Sequence, residues 1–179
     1  MKYNSIILRK LILTALYISM GVVLPIAFHS VPNSGTVFSP MHIPVFLCGL
    51  TCGFQYGLIC GISAPILSSV LTGMPPLAIL PSMICELTVY GVISGLALRY
   101  IFPKKSLLSV YFSLITAMLC GRLVKGVLDA LLFSSNSFTI KAFIASCFIS
   151  AIPGIIIQLT VIPVAVFTYY KFTDKYRHT

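Results

Sequence analysis

Charged residues are scarce in this chain: Asp, Glu, Lys and Arg together make up only 8% of its 179 residues, and just 3 residues are acidic. A soluble domain normally carries about 25% charged residues, so this chain could not cover an apolar core with polar surface in water. Hydrophobic residues account for 58% of the sequence, and several apolar runs reach the roughly 20 residues that cross a bilayer. The composition therefore predicts an all-α integral membrane protein, with residues 1–179 forming a single transmembrane domain.

Sequence motifs for nucleotide hydrolysis and metal binding are also missing. No GxxxxGK(S/T) loop occurs, so we do not expect the chain to hydrolyse ATP through a phosphate-cradling loop of that type. The 6 cysteines all lie in apolar runs, none forms a CxxC pair, and no histidine accompanies them at zinc-site spacing. We therefore expect no metal site and no cofactor in this chain.

A short serine-containing stretch, GISAP at 61–65, resembles the serine motif of rhomboid-type intramembrane proteases. Such a protease needs a histidine from a later helix to activate its serine, which here would be Ser63. The only histidine that follows is His178, in the charged tail. The sequence therefore predicts no catalytic residues.

Prolines, glycines and short polar clusters divide the chain into six predicted transmembrane helices. They cover residues 5–28, 41–53, 56–73, 80–102, 107–133 and 139–172. The second helix is short, and the last carries Pro153 and Pro163, which favour a bend or a break. An even number of crossings places both ends of the chain on one side of the membrane.

Basic residues cluster at three places that six crossings would bring to the same side. They are Lys2, Arg9 and Lys10; Arg99, Lys104 and Lys105; and Lys171, Lys175 and Arg177. The predicted loops on the other side contain only Lys141, so the positive-inside rule places both termini in the cytoplasm, in a multi-pass protein of the plasma membrane. Topology in a lipid bilayer thus explains the net charge of +9, and no nucleic-acid partner is expected.

The segment SPMHIPVFLCGLTCGFQYG, residues 39–57, opens with a histidine and is followed by regularly spaced glycines. They recur every four residues, at Gly49, Gly53, Gly57 and Gly61. This spacing fits either close packing of helices within the chain or a dimer face. GFQYG is interpreted as a cytoplasmic turn between the second and third helices. His42 lies at the outer mouth of the second helix, where helix capping and ligand contact both remain open.

Polar and charged residues inside a membrane protein are costly and usually functional. The fifth predicted helix carries Arg122, Lys125 and Asp129 on one face, and the last two can pair at i, i+4. The fourth carries Glu86, with Tyr90 one turn later on the same face. Both groups fall in the outer halves of their helices, so we expect two cations and two anions to meet at similar depth.

Two interpretations of this cluster remain open. In one, the two acids only neutralise the two basic residues and hold the fold together. In the other, the cluster is a polar pocket open to the outside, beneath a loop at 29–40 that acts as a lid. The candidate substrate-binding residues are Glu86, Tyr90, Arg122, Lys125, Asp129, His42, Asn33 and Gln158.

Several stretches in the first four predicted helices carry a family resemblance. SPMHIPVFLCGLTCGFQYGLICG, VLTGMPPLAILPSM and ELTVYGVISG together resemble the substrate-binding S component of energy-coupling-factor (ECF) vitamin transporters. ILTALYISMGVVLP is similar to the family's small-residue face on the first helix, with Ala15 at the first small position and Ser19 where alanine is usual. Phe54 and Gln55 stand where family members often have Pro and Lys.

The resemblance implies a six-helix membrane protein that captures a vitamin or related micronutrient from outside and passes it inward by toppling within a complex. The implied partners are an ECF membrane scaffold subunit, which would dock on Ala15 and Ser19, and two ABC-type ATPases, which would use the ATP. The chain itself would bind one small water-soluble micronutrient without covalent chemistry.

Two interpretations from other classes compete with this one: a membrane-embedded enzyme acting on a lipid-like substrate, and a structural membrane partner without a ligand. Such enzymes generally need acidic metal-binding motifs or a His/Glu cluster, whereas Glu86 and Asp129 lie on different predicted helices beside basic residues. Among ligands, the donors of Arg122 and Lys125 favour one of modest size with an anionic or strongly polar end.

Overall fold

A computed structural model describes residues 2–28, 40–102, 106–132 and 152–175, and within these ranges the regular structure is helical. The helices, numbered in chain order, are α1 (Lys2–Phe28), α2 (His42–Cys52), α3 (Phe54–Thr72), α4 (Leu80–Leu96), α5 (Leu107–Leu132) and α6 (Ile152–Lys175). A π-helical turn, Ala97–Ile101, continues α4. The described helices confirm the prediction of an all-α protein. Helices suit an apolar segment because they satisfy the backbone polar groups internally.

Five of the described helices are long and apolar enough to cross a membrane: α1, α3, α4 with its π turn, α5 and α6. The remaining helix, α2, has 11 residues, which gives about 16 Å of rise against a hydrocarbon core of roughly 30 Å. The chain is therefore a multi-pass membrane protein. The count of six full crossings and the cytoplasmic placement of the termini stay predictions.

Prolines interrupt the described helices less than their number suggests. Pro25, Pro65 and Pro163 lie inside α1, α3 and α6, and each helix continues through its proline. Pro153 falls in the first turn of α6, where a missing N–H leaves no hydrogen bond unmade. A bend or a break was predicted for the last helix, and the structure shows that the helix is not broken at Pro163.

The described helices alternate in direction, so several helix ends meet at one end of the bundle. Arg9 near the start of α1 donates a hydrogen bond from Nη2 to Thr173 Oγ1 near the end of α6, over 3.4 Å. Tyr170 of α6 donates from its hydroxyl to the carbonyl of Leu50, near the end of α2, over 2.9 Å. We call this the basic end, because it carries the basic residues of α1, the π turn and α6.

A single residue joins α2 to α3. Gly53 adopts φ 105° and ψ 168°, a left-handed region of φ that favours glycine, and both helices end at its neighbours. The predicted turn GFQYG was therefore too long: Phe54 and Gln55 already belong to the first turn of α3. A hydrophobic pattern could not distinguish a one-residue break from a longer turn because the residues around it are apolar on both sides.

The spaced glycines pack against α4 within the chain. A Cβ atom added to Gly49 or Gly57 would overlap the carbonyl of Gly91, and one added to Gly61 would lie 2.7 Å from the carbonyl oxygen of Leu87. Backbone thus meets backbone where α2, α3 and α4 converge, which we call the glycine junction (Gly49, Gly57, Gly61 and Gly91). Of the two interpretations of the spacing, internal packing is confirmed.

Burial differs sharply between α1 and the helices of the junction. Only 17% of the most apolar window of α1 is buried, against 44% for the corresponding window of α4. The buried face of α1 includes Thr14, Tyr17 and Gly21. The rest of α1 presents apolar side chains outward, as expected of a helix at the edge of a membrane bundle.

Candidate functional site

Glu86 is the centre of a buried polar cluster. It lies on α4, only 4% exposed, and its carboxylate Oε1 accepts a hydrogen bond of 2.7 Å from the Tyr90 hydroxyl one turn later. The imidazole of His42, the first residue of α2, places Nε2 3.7 Å from the same oxygen. An isolated carboxylate would be very costly in this apolar interior, so these two partners account for its presence.

Aromatic rings hold Tyr90 in position. Its ring stacks on Phe46 of α2 at a centroid distance of 4.7 Å and tilts against His42 at 5.2 Å. On the other side, Gly121 of α5 leaves the space that the Tyr90 ring fills, because a Cβ there would overlap the ring. The packing therefore fixes the hydroxyl that donates to Glu86.

The charged residues of α5 approach the cluster from another side. Arg122 follows Gly121 directly and is 6% exposed. Lys125 donates from Nζ to Asp129 Oδ2, one turn later, and the two side chains are 32% and 23% exposed. Lys125 also interacts electrostatically with the Glu86 carboxylate. Lys125 and Glu86 are thus close enough to interact, and the meeting of all four charges at one depth stays a prediction.

The structure confirms part of the predicted geometry and adds a contact to it. Glu86 and Tyr90 share a face, and Lys125 pairs with Asp129, as their spacing predicted. Beyond the basic residues of α5, Glu86 accepts a hydrogen bond from Tyr90 and lies 3.7 Å from Nε2 of His42, a contact that the sequence did not predict. That contact depends on how α2 docks on α4, which spacing along one helix does not reveal.

Phe46 was missed by the sequence analysis. It lies one turn after His42 on α2 and is fully buried. Its i, i+4 spacing from His42 was a signal for a shared face. In a chain that is largely apolar, however, one more phenylalanine does not stand out.

Several buried polar atoms of α2, α5 and α6 have no hydrogen-bond partner among the described residues. They include both amide atoms of Gln158 on α6, Nδ1 of His42 and Oδ1 of Asp129. Gln158 is 0% exposed. Leaving such a buried group unsatisfied costs about 1–3 kcal/mol, and a bound polar molecule or water would remove that cost. Of these atoms, Nδ1 of His42 belongs to the cluster itself.

Two predicted parts of the site lie outside the described residues. Asn33 is one of them, and the predicted lid is the other apart from Pro40. The role of Asn33 as a ligand contact and the role of the loop at 29–40 as a lid stay predictions.

The predicted partner face of α1 is exposed. Ala15 and Ser19 both lie on the outward side of the helix. Ser19 donates from its hydroxyl to the carbonyl of Ala15 over 2.9 Å, so the hydroxyl is satisfied within the helix. The two residues leave a shallow, uncharged strip between larger apolar side chains such as Leu11 and Leu16. A second helix could approach this strip closely.

No group of three or more His, Cys, Asp or Glu side chains that could hold a metal ion occurs in the described part of the chain. The cluster around Glu86 combines one carboxylate, one imidazole and one phenol. Such a set can orient a polar molecule by hydrogen bonds.

Comparison with known protein families gave one matching family model. The family model described as "ECF transporter, substrate-specific component" matches residues 9–167, nearly the full length of the chain. Searches of curated proteins and of solved structures gave no match.

Proposed function

This chain belongs to the family of substrate-specific components of ECF transporters, and from that premise we propose that it captures a vitamin or related micronutrient from outside the cell for import. Membership makes it a substrate-specific transporter subunit, in a family of binding components rather than of enzymes. It also implies that the subunit works with an ECF scaffold and an ATPase module. The plasma membrane as its location and the inward direction of transport belong to the proposal.

One observation carries the assignment of the binding site: the cluster of Glu86, His42 and Tyr90 is buried in an apolar bundle, with unsatisfied polar atoms on His42 and on Gln158 of α6. A purely structural network would be expected to satisfy its own polar atoms. The amide of Gln158 and Nδ1 of His42 do not fit that expectation. We infer that the substrate supplies the missing hydrogen bonds.

The charge around the cluster suggests what kind of substrate fits. Arg122 and Lys125 bring two positive charges and Glu86 and Asp129 two negative ones, so the charged groups balance in number. The hydrogen-bond donors of Arg122, Lys125 and His42 support a small water-soluble molecule with an anionic or strongly polar end, as the sequence predicted. The Gln158 side chain adds a donor nitrogen and an acceptor oxygen, which suit a second polar group of the substrate.

We further propose that this chain needs no cofactor and that the partner ATPases use the ATP. The scaffold subunit would dock on the strip around Ala15 and Ser19. The exposure of that strip and the satisfied hydroxyl of Ser19 support this role.

Ligand binding by the purified protein tests the proposal. We expect one micronutrient from a panel of vitamins and their precursors to bind without ATP, measured by calorimetry and by the shift in unfolding temperature. Mass spectrometry of molecules that co-purify with the protein provides an independent identification. If no compound bound and none co-purified, the proposed capture function would be wrong.

Three variants separate ligand contact from support of the fold. Removing one member of a buried pair typically costs about 3–5 kcal/mol, so Glu86→Gln and His42→Gln alone can act through stability. The double variant His42→Gln with Glu86→Gln removes the ionisable pair but keeps polar side chains. If the pair contacts the substrate, the double variant folds but binds roughly 10- to 150-fold more weakly. Full affinity in the folded double variant would remove both residues from the site.

A further inference from the structure

A second polar site lies at the basic end, at the opposite end of α4 from the Glu86 cluster. A cavity of about 440 Å³ opens there between α1, the Gly53 link, the π turn and α6. Arg99, on its wall, follows Glu86 by about 20 Å of helical rise. The cavity is therefore separate from the proposed substrate site.

Two cationic side chains from different helices meet at this cavity. Lys10 comes from α1, with Nζ 5.6 Å from the centre of the Tyr56 ring, and Arg99 comes from the π turn. None of the described residues that line the cavity is acidic. The first turn of α3 and the last turn of α2 both line the cavity, so their opposite terminal dipoles offset each other and the two side chains set its charge. An anion is the ligand that this lining favours.

The local backbone presents Arg99 to the cavity. The π turn closes with a hydrogen bond from the Phe102 N–H to the carbonyl of Ala97 over 2.8 Å, a wider loop than an α-helix forms. Such turns are rare overall, and those that occur are often found at functional sites. Here the turn ends α4 at the wall of the cavity.

The remaining lining is amphipathic. Tyr56 and Tyr170 bring aromatic rings with hydroxyl groups, and Leu98 and Phe54 bring apolar surface. Tyrosines are enriched where a membrane protein passes through the headgroup layer. The cavity thus combines a positive lining with an apolar wall suitable for an acyl chain, and its two tyrosines fit a position in the headgroup layer. Basic pockets between membrane helices are known to hold anionic headgroups.

We propose that this cavity binds the phosphodiester headgroup of an anionic phospholipid, held by Lys10 and Arg99. Free inorganic phosphate shares the charge but lacks the acyl chains, which the apolar wall would contact. The proposal does not depend on the identity of the transported micronutrient.

Lipid titration of the full chain in detergent tests the proposal, with bound lipid counted by native mass spectrometry. The probes are phosphatidylglycerol, phosphatidylcholine and inorganic phosphate. The test variant is Lys10→Gln with Arg99→Gln. The matched control is Arg9→Gln with Lys171→Gln, which removes two charges from the same end of the bundle but from residues that do not line the cavity.

We expect the unmodified protein and the control to bind phosphatidylglycerol in preference to phosphatidylcholine, and the test variant to lose about 30-fold in affinity for phosphatidylglycerol. Equal losses in test and control variants would show general attraction to a basic surface and overturn the proposal. So would equal binding of the two lipids, or displacement of phosphatidylglycerol by millimolar inorganic phosphate. An unchanged lipid affinity together with lost capture of the scaffold subunit would assign the cavity to an acidic protein segment instead.

The fold of the test variant is checked through its unfolding temperature in phosphatidylcholine. If the double variant does not fold, Arg99→Gln alone replaces it, because Arg99 is exposed and its change removes no buried packing. A loss of about fivefold for phosphatidylglycerol is then expected, and no loss would overturn the proposal.

Discussion

Small residues line two faces of this molecule, and their surroundings differ. In the glycine junction, Gly57 and Gly91 lie against each other's backbone. On α1, Ala15 and Ser19 face outward. The same type of sequence pattern therefore marks two kinds of contact. Spacing shows that a helix can be approached closely, and burial shows whether the approaching helix belongs to the same chain.

The largest effect should come from filling the junction. Gly91→Leu places a side chain where the backbone of Gly57 lies, and backbone cannot rotate away as a side chain can. Overpacking typically costs about 1–3 kcal/mol and can cost more, so we expect loss of the folded monomer or a large fall in unfolding temperature. Size-exclusion chromatography and thermal unfolding measure this. The control is Ala27→Leu, at an exposed position of α1, and equal behaviour of the two variants would contradict the junction.

A smaller effect is expected where a glycine receives a side chain instead of backbone. Gly121→Ala pushes on the Tyr90 ring, which is also held by Phe46 and Glu86. We expect a loss of about 1–3 kcal/mol in stability and weaker ligand binding, because the hydroxyl leaves its position beside Glu86. Thermal unfolding and ligand titration measure the two effects.

A second substitution checks that reason. Adding Tyr90→Leu to Gly121→Ala shortens the side chain that clashes, so the stability losses of the two changes should be less than additive. Ligand binding should stay weak, since the hydroxyl is gone. Strictly additive losses would show that the two residues do not press on each other.

A substitution on the inward face of α1 should lower the stability of the protein only slightly. Thr51 donates from Oγ1 to the Tyr17 hydroxyl over 3.3 Å, one of the polar contacts between α1 and α2. Tyr17→Phe removes that contact and keeps the ring, so we expect a loss of about 0.5–1.5 kcal/mol in the free energy of unfolding. Chemical denaturation in detergent measures it. A stability loss as large as that of Gly91→Leu would mean that the contacts of α1 stabilise the fold as much as those of the glycine junction.

The smallest effect on the isolated protein should come from the outward face. Ala15→Leu adds a side chain to an exposed position, so stability should change by less than about 0.5 kcal/mol, and ligand affinity should not change. Capture of the scaffold subunit and uptake in cells should nevertheless be lost, because the bulky residue holds the partner helix away. Loss of ligand affinity in the isolated protein would make Ala15 part of the fold and remove it from the partner face.

The sequence predicted the helices well and their contacts less well. Apolar runs bounded by glycine and proline located α3, α4 and α5 to within a few residues, because the length of a membrane helix is set by the bilayer. The junction was predicted as one of two possibilities, since glycine spacing does not name the partner. Contacts within one helix, such as Lys125 with Asp129, follow from the helical repeat.

Contacts between helices were beyond the sequence. The approach of His42 to Glu86 depends on the docking of α2 beside α4, and that docking depends on the glycine junction. Gln158 was predicted as a candidate substrate-binding residue, but its burial without a partner among the described residues became visible only in the structure. Tertiary packing decided each of these points.

The shortness of α2 has a consequence for how far a captured molecule has travelled. With the basic end at one boundary of a hydrocarbon core about 30 Å thick, the helix rises about 16 Å and its first residue, His42, comes roughly 14 Å below the opposite boundary. Under the proposed capture from outside, a solute that reaches His42 would have crossed nearly half of the apolar layer before the protein moves. The proposed conformational change would then have only the remaining distance to provide.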